Sequence, residues 1–213
     1  FFVFKYIFMK FSFSSFPTSI QQMSVPLIIL SASLLAFIFN SSVSDIFVYQ
    51  RNLVMQGEVW RVFSGHFFHT NGFHFLLNGA AVVMLWILHG QFYTIKKYLI
   101  VFWVSAVICA VGIHWFSLNI DQYVGLSGIL HGLFIWGAIE DIKAKERTGY
   151  LLLVGVVLKI AHEQYYGASA DVAELIGANV AINAHLWGAI GGVIAAIILM
   201  LLNLTNKKSS KLS

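Results

Sequence analysis

The sequence predicts an all-α membrane protein with six transmembrane helices. Composition is the first observation: 59% of the 213 residues are hydrophobic, only 10% are charged, and the mean hydropathy is +0.80. A soluble domain carries about 25% charged residues, so this chain has too few to cover a water-facing surface. We therefore expect lipid to surround much of the molecule. The apolar segments and the placement of the basic residues are the other two observations.

Six apolar segments follow one another along the chain, at 24–40, 74–90, 97–117, 127–140, 149–166 and 177–203. A helix needs about 20 apolar residues to cross the hydrocarbon core, and some of these segments are shorter. The stretch 41–73 is too long for a simple turn, so we expect a structured loop with short interfacial helices. The segments divide the chain into an N-terminal cytoplasmic tail (1–23), a membrane domain (24–203) and a basic cytoplasmic tail (204–213).

Lysine and arginine set the expected orientation, because cytoplasmic loops of membrane proteins carry an excess of these residues. Four regions hold ten of the thirteen: Lys5 and Lys10; Lys96 and Lys97; Lys143, Lys145 and Arg147; and Lys207, Lys208 and Lys211. With six spans all four regions lie on the same side of the membrane, which predicts cytoplasmic termini. A net charge of +4, spread in small groups beside apolar runs, does not indicate nucleic-acid binding.

Polar residues inside a membrane are costly, so each one is a candidate for function. The helix rise of about 1.5 Å per residue places four of them about 18–27 Å from the inner ends of their segments: His74, Asn78, Ser127 and His185. The four come from three helices but share one depth, in the outer half of the bilayer. Non-helical backbone leading into Ser127 is tolerated there only where protein covers it or a water-filled cavity borders it. We therefore expect a wet cavity open to the outer side.

Ser127 begins the fourth segment, within Gly125-Leu126-Ser127-Gly128. At the amino end of a helix, the dipole and the free backbone N–H groups favour the negative charge of an oxyanion. A serine hydroxyl needs a neighbouring base to become a nucleophile, and His185 lies at a suitable depth. His74 and Asn78 are four residues apart on one helical face, and both can donate hydrogen bonds to an oxyanion.

Small residues at a four-residue spacing let membrane helices approach closely. Two such pairs occur, Gly128 and Gly132 in the fourth segment and Gly188 and Gly192 in the sixth. His185 precedes Gly188 by three residues and so shares its helical face. Contact between the two glycine faces would bring Ser127 within hydrogen-bond reach of His185.

Taken in order, these motifs resemble the rhomboid intramembrane serine proteases. The resemblance covers about residues 58–200 and rests on Trp60-Arg61, His74…Asn78, Gly125-Leu126-Ser127-Gly128 and Ala184-His185…Gly188…Gly192. It implies a six-helix rhomboid-like bundle and a catalytic dyad of Ser127 and His185 that needs no aspartate. It also implies that the oxyanion is stabilised by His74, Asn78, Gly125 and the backbone N–H of Ser127.

A finer resemblance points to the rhombosortase branch of this family. It rests on Gly-Leu-Ser-Gly-Ile-Leu-His-Gly at 125–132, on Lys159…Glu163-Gln164 and on Asn183-Ala184-His185. The implied substrates are exported proteins with a C-terminal Gly-Gly tail, which consists of glycines, one spanning helix and basic residues. The implied location is the inner membrane of a Gram-negative cell, with the active site open to the periplasm. Whether water or an amine resolves the acyl-enzyme stays open.

Three further polar residues each have two readings. His131 follows Ser127 by one helical turn and either contacts His185 or simply fills an aromatic-sized space. Lys159 and Glu163 are four residues apart, so they can form an ion pair that neutralises both side chains. Alternatively, they form a polar wall for a substrate tail, or supply a second nucleophile.

Other functions fit parts of the sequence. A general rhomboid protease would cut single-span membrane proteins, and a non-catalytic relative would only bind membrane clients, although Ser127 and His185 are both present. His66, His69 and His74 suggest a metal site, but they lack the His-Glu-x-x-His arrangement, and we expect neither metal nor cofactor. A transporter would need charged or broken helices near the membrane midplane.

Overall fold

The structure is a computed structural model that describes residues 16–209, with side chains described as far as Leu204. Within this range the α-helices are, in chain order, α1 (Ile20–Ile38), α2 (Asn40–Phe47), α3 (Arg51–Met55), α4 (Arg61–Ser64), α5 (Gly72–His89), α6 (Ile95–Phe116), α7 (Ser127–Lys143), α8 (Arg147–Tyr166), α9 (Ala170–Ile176) and α10 (Ile182–Ser209). Residues 1–15 and 210–213 of the predicted tails lie outside the described residues.

Each of the six predicted apolar segments forms a helix, namely α1, α5, α6, α7, α8 and α10. Four described stretches are long and apolar enough to cross a membrane: Ile20–Ile38, Gly72–Phe92, Ile95–Phe116 and Ile182–Leu204. The chain is therefore a multi-pass membrane protein. Length and composition do not identify all six predicted spans, because α7 has only 17 residues and α8 contains Lys159 and Glu163.

Three helix boundaries differ from the sequence prediction by four residues or more. One is the end of α10, which lies at Ser209 instead of 203, so this helix continues into the stretch assigned to the C-terminal tail. Helix α1 begins at Ile20, within the stretch assigned to the tail, because Ser19 and Gln22 form a capping box at its start. Helix α10 begins at Ile182 instead of 177. The residues before it form α9, which ends at Gly177 with a φ of 64°, a left-handed conformation that favours glycine.

Helix α7 lies at the centre of the bundle and contacts α5, α6, α8 and α10. Its side chains Ile129, Leu133 and Trp136 are fully buried. The two predicted glycine faces meet at its crossing with α10. A Cβ atom added at Gly188 would overlap the carbonyl oxygen of Gly128, and one added at Gly192 would overlap that of Gly132. The backbones of α7 and α10 are therefore in direct contact.

The outer loop between α1 and α5 contains short helices, as the sequence predicted, together with a strand. This strand, β1 (Tyr49–Gln50), pairs antiparallel with β2 (Gln122–Tyr123) just before α7. Two arginines hold the loop in place through backbone carbonyl groups. Arg51 donates hydrogen bonds to the carbonyls of Ile113, Ser117 and Ile120, and Arg61 donates to those of Asp45 and Val48. The loop and the chain entering α7 are thus one connected structure.

We predict that Gly188→Ala destabilises the protein by about 1–3 kcal/mol, because the added methyl group forces the backbones of α7 and α10 apart. The matched control is Gly155→Ala on α8, where an added Cβ meets nothing within 4 Å. Thermal unfolding in detergent measures both variants. Equal unfolding midpoints for Gly188→Ala and the wild type would contradict the packing argument.

Candidate active site

The chain enters α7 through a turn that the surrounding loop holds in place. Gly125 has a φ of +113°, which side chains rarely adopt, and its N–H donates to the carbonyl of Gly65 over 3.2 Å. The hydroxyl of Tyr123 donates to the carbonyl of Gly125 over 2.7 Å. An added Cβ at Gly125 would lie 2.7 Å from His74 Nε2, so glycine also keeps this space open. These contacts place Ser127 as the first residue of α7.

Ser127 and His185 are hydrogen-bond neighbours. The distance from Ser127 Oγ to His185 Nε2 is 3.0 Å, and the His185 residue is only 6% exposed. The two residues come from α7 and α10, whose glycine faces are in contact close to this point. A serine hydroxyl beside an imidazole nitrogen is the arrangement from which a nucleophile forms by proton transfer to the ring.

The predicted oxyanion donors lie on α5, across the turn from His185. His74 and Asn78 are both buried, and a Cβ at Gly125 would lie 3.9 Å from Asn78 Nδ2. One hydrogen of that amide donates to the carbonyl of His74 over 3.0 Å, which leaves the second hydrogen for another acceptor. Both side chains therefore present nitrogen atoms toward the backbone that leads into Ser127.

The tautomer of His74 depends on Thr70. The Thr70 hydroxyl donates to the carbonyl of Ile176 over 2.6 Å, so its oxygen can accept from His74 Nδ1 at 3.1 Å. Alternatively, the Thr70 backbone N–H donates to Nδ1 over 3.4 Å. Only the second arrangement puts the ring hydrogen on Nε2 of a neutral His74, where it can be donated toward Gly125.

A cavity of about 380 Å³ reaches Ser127. Its lining includes His74, polar residues of the outer loop such as Asn40 and Asp45, and the chain between α9 and α10. The cavity is far larger than a water molecule and has polar groups to bind one, so water can reach the serine. Hydrolysis of an ester intermediate at Ser127 requires such access.

A second polar cluster surrounds the far side of the His185 ring. The His131 ring stacks on the His185 ring with centroids 4.2 Å apart. Lys159 Nζ lies 2.8 Å from His131 Nε2 and 2.8 Å from Glu163 Oε2, and Glu163 Oε2 lies 2.9 Å from His185 Nδ1. Of the two interpretations of His131, the structure thus shows the contact with His185. Lys159 and Glu163 form the predicted ion pair.

The contact between Glu163 and His185 was not predicted from the sequence. A signal for it existed, because the helix rise places Glu163 about 24 Å from the start of α8, the depth of the other polar residues. The four-residue spacing from Lys159 instead suggested a pair that was complete by itself. Spacing within one helix cannot show which side chain of another helix lies opposite.

Three of these side chains could together hold a metal ion. One ligand atom from each of His131, Glu163 and His185 lies within 4.8 Å of the other two. Lys159 Nζ, however, lies within 3.2 Å of all three atoms. Its ammonium group already supplies the positive charge there, and a metal ion would have to displace it. His66, His69 and His74 do not form such a group in the part of the chain that the structure describes.

The fold and the site together define a class, a multi-pass helical membrane protein with a serine and a histidine in contact at the end of a cavity. A family model for the rhomboid domain matches residues 56–202, and the chain belongs to the rhomboid family. Members of this family are generally intramembrane serine proteases. A search of curated proteins found no match to the chain.

Two histidines of the outer loop make the stability depend on pH. His66 and His69 are buried outside the membrane-spanning helices, and burial lowers the pKa of each from 6.5 to about 4. Each side chain is therefore neutral in the folded protein at pH 5 but protonated in the unfolded chain. Because the unfolded state binds more protons between these values, stability falls as the pH falls through this range.

We predict that lowering the pH from 7.5 to 5 destabilises the fold by up to about 2 kcal/mol for each of these histidines. The measurement is the unfolding midpoint in detergent at the two pH values. His69→Gln should reduce the pH effect, since glutamine does not titrate. An unchanged midpoint at pH 5 in the wild type would show that these rings are not buried in the neutral form.

Proposed function

We propose that this protein is an intramembrane serine protease with Ser127 as nucleophile and His185 as general base. The observation that carries the proposal is the 3.0 Å contact between Ser127 Oγ and His185 Nε2 beside a cavity. Attack of Oγ on a peptide carbonyl carbon moves the hydroxyl proton to Nε2. That proton then passes to the leaving amine, which leaves an acyl-enzyme for water to hydrolyse.

The oxyanion formed in this attack would be bound by three donors. Ser127 is the first residue of α7, so its backbone N–H has no partner within the helix, and the helix dipole there favours negative charge. Asn78 Nδ2 retains one hydrogen, and His74 Nε2, which faces the same turn, carries one when the Thr70 backbone N–H donates to Nδ1. Gly125 contributes by leaving room for these side chains. Fixed donors in a site that excludes bulk water are the strongest form of such stabilisation.

The proposed topology has six spans, with both termini in the cytoplasm and the site open to the periplasmic side of the inner membrane. Its support is the burial of α7, which is surrounded by other helices and so does not need a full apolar length against lipid. The basic residues Lys143, Lys145 and Arg147 lie at the end of this helix away from Ser127 and in the turn to α8. Basic loops remain on the cytoplasmic side.

The proposed substrates are exported proteins that carry a C-terminal Gly-Gly tail, as in the rhombosortase branch. Support comes from the residues of the finer resemblance, because His131, Lys159 and Glu163 all contact one another or His185 at the site. Mass spectrometry of the C-terminus of a Gly-Gly-tailed protein, in cells with and without this enzyme, tests the substrate class. Identical C-termini in the two samples would leave general rhomboid cleavage as the function.

We predict that Ser127→Ala and His185→Ala each abolish cleavage and fluorophosphonate labelling, a loss of at least about 10³-fold, because nucleophile and base act as a unit. Ser33→Ala on α1 and His162→Ala on α8 are matched controls, since α1 carries no residue of the site and the exposed His162 ring contacts Tyr166 instead of His185. The controls should retain wild-type rates. Normal cleavage by Ser127→Ala would disprove the proposed mechanism.

We predict a smaller effect for Asn78→Ala, a fall in kcat of about 10²–10³-fold with little change in KM, because one oxyanion donor is lost. Steady-state kinetics on a single-span substrate measure both constants. Asn203→Ala, at an exposed position on α10, serves as the control. A rise in KM at unchanged kcat would assign Asn78 to substrate binding instead.

A further inference from the structure

The carboxylate of Glu163 lies directly behind the His185 ring. Glu163 Oε2 is 2.9 Å from Nδ1, while Nε2 of the same ring is 3.0 Å from Ser127 Oγ. Glu163 is on α8, whereas the serine and the histidine are on α7 and α10, so three helices contribute one residue each. The Glu163 side chain is 12% exposed, which keeps most water away from this contact.

The contact with Glu163 determines where the ring proton of His185 lies. An ionised carboxylate can only accept hydrogen bonds, so a nitrogen 2.9 Å away must carry the hydrogen. With that hydrogen on Nδ1, the neutral ring has a lone pair on Nε2, pointed at the Ser127 hydroxyl. This is the tautomer that a general base requires.

The other members of the cluster are consistent with this proton arrangement. His131 Nδ1 is 2.7 Å from the carbonyl of Ser127 and must donate to it, which leaves the lone pair of Nε2 to accept from Lys159. Lys159 then donates to both His131 and Glu163. If Lys159 instead donated to His185 Nδ1, at 3.2 Å, lone pairs of Nδ1 and Glu163 would face each other. Glu163 is therefore the partner of Nδ1.

We propose that Glu163 is the third member of a Ser127–His185–Glu163 triad, with Lys159 holding its carboxylate in place. This inference rests on the proposed protease function and goes beyond the dyad that the family resemblance implies. When Ser127 Oγ bonds to the substrate carbonyl carbon, its proton moves to Nε2, and the ring becomes an imidazolium. The Nδ1–H stays on the ring and donates to the carboxylate, which remains ionised. Glu163 is thus a positioning residue that fixes the tautomer and stabilises the positive ring.

The bundle contains a matched ion pair outside the site. Glu140 and Lys143 are 2.8 Å apart with side-chain exposures of 16% and 42%, while Glu163 and Lys159 are 2.8 Å apart with exposures of 12% and 44%. The two pairs therefore have the same length and similar exposures, but only the pair of Lys159 and Glu163 contacts His131 and His185. Substitution of Glu140 therefore shows how far the loss of such an ion pair, away from His185, changes the labelling rate.

The experiment measures the maximal rate of fluorophosphonate labelling of the full-length protein in detergent. For Glu163→Ala we expect the maximal labelling rate to fall about 10²-fold or more, with little change in the half-saturating probe concentration. The reason is that loss of the third triad member slows the chemical step and does not affect probe binding. Glu140→Ala should label at the wild-type rate. The double variant Glu163→Ala/Lys159→Met should remain as slow as Glu163→Ala.

A merely structural ion pair gives different results. If Glu163 only neutralised Lys159, removing both charges would restore the labelling rate, and that outcome would overturn the triad. A Glu163→Ala rate within threefold of wild type would overturn it as well. Nitrogen NMR of His185 adds a readout independent of activity, with the Nδ1–H tautomer expected in the wild type and lost in Glu163→Ala. Retention of that tautomer in the variant would also contradict the proposal.

The failure of the protease function is distinguishable from the failure of the triad. A wild-type protein that does not label, or a Ser127→Ala variant that labels equally, removes the proposed function itself. Wild-type labelling that depends on Ser127 but is unaffected by Glu163→Ala removes only the triad. Active-site titration with the same probe counts the competent molecules, so misfolded protein is not mistaken for slow chemistry.

Discussion

The contact between the backbones of α7 and α10 is the constraint on which the rest of the site depends. Glycines at the crossing have no side chains, so the backbone of Gly188 contacts that of Gly128, and the backbone of Gly192 contacts that of Gly132. Lipid gives membrane helices no hydrophobic reason to associate, and packing of this kind takes over that role. At this helix separation the short side chain of Ser127 reaches the ring of His185 within one turn of the crossing.

A second constraint is that polar groups in an apolar bundle have to satisfy one another. Around His185 each hydrogen-bond donor has an acceptor beside it. The carboxylate of Glu163 accepts, the ammonium of Lys159 donates, and the His131 ring does both, from its two nitrogens. This mutual satisfaction ties α7, α8 and α10 together at one depth. It also orients the His185 ring toward the serine.

The outer loop completes the site by holding the turn before Ser127. The pairing of β1 with β2 joins the loop to the entering chain, and Arg51 and Arg61 anchor it through hydrogen bonds to backbone carbonyls. Helix termini and turns at membrane depth leave backbone groups without partners, and these have to be satisfied within the protein. The loop supplies such a partner to Gly125, whose N–H donates to the carbonyl of Gly65.

The helical segments, the helix start at Ser127 and the glycine faces could be predicted from the sequence alone, because they depend on composition and on spacing within one segment. It also indicated that His74, Asn78, Ser127 and His185 share one depth. Which helix faces contact each other is seen only in the three-dimensional structure. The contact of Glu163 with His185 depends on the rotation and shift of helices distant in sequence. So does the finding that, within the described residues, His66, His69 and His74 do not form a metal-binding group. The period within a single segment does not encode these quantities.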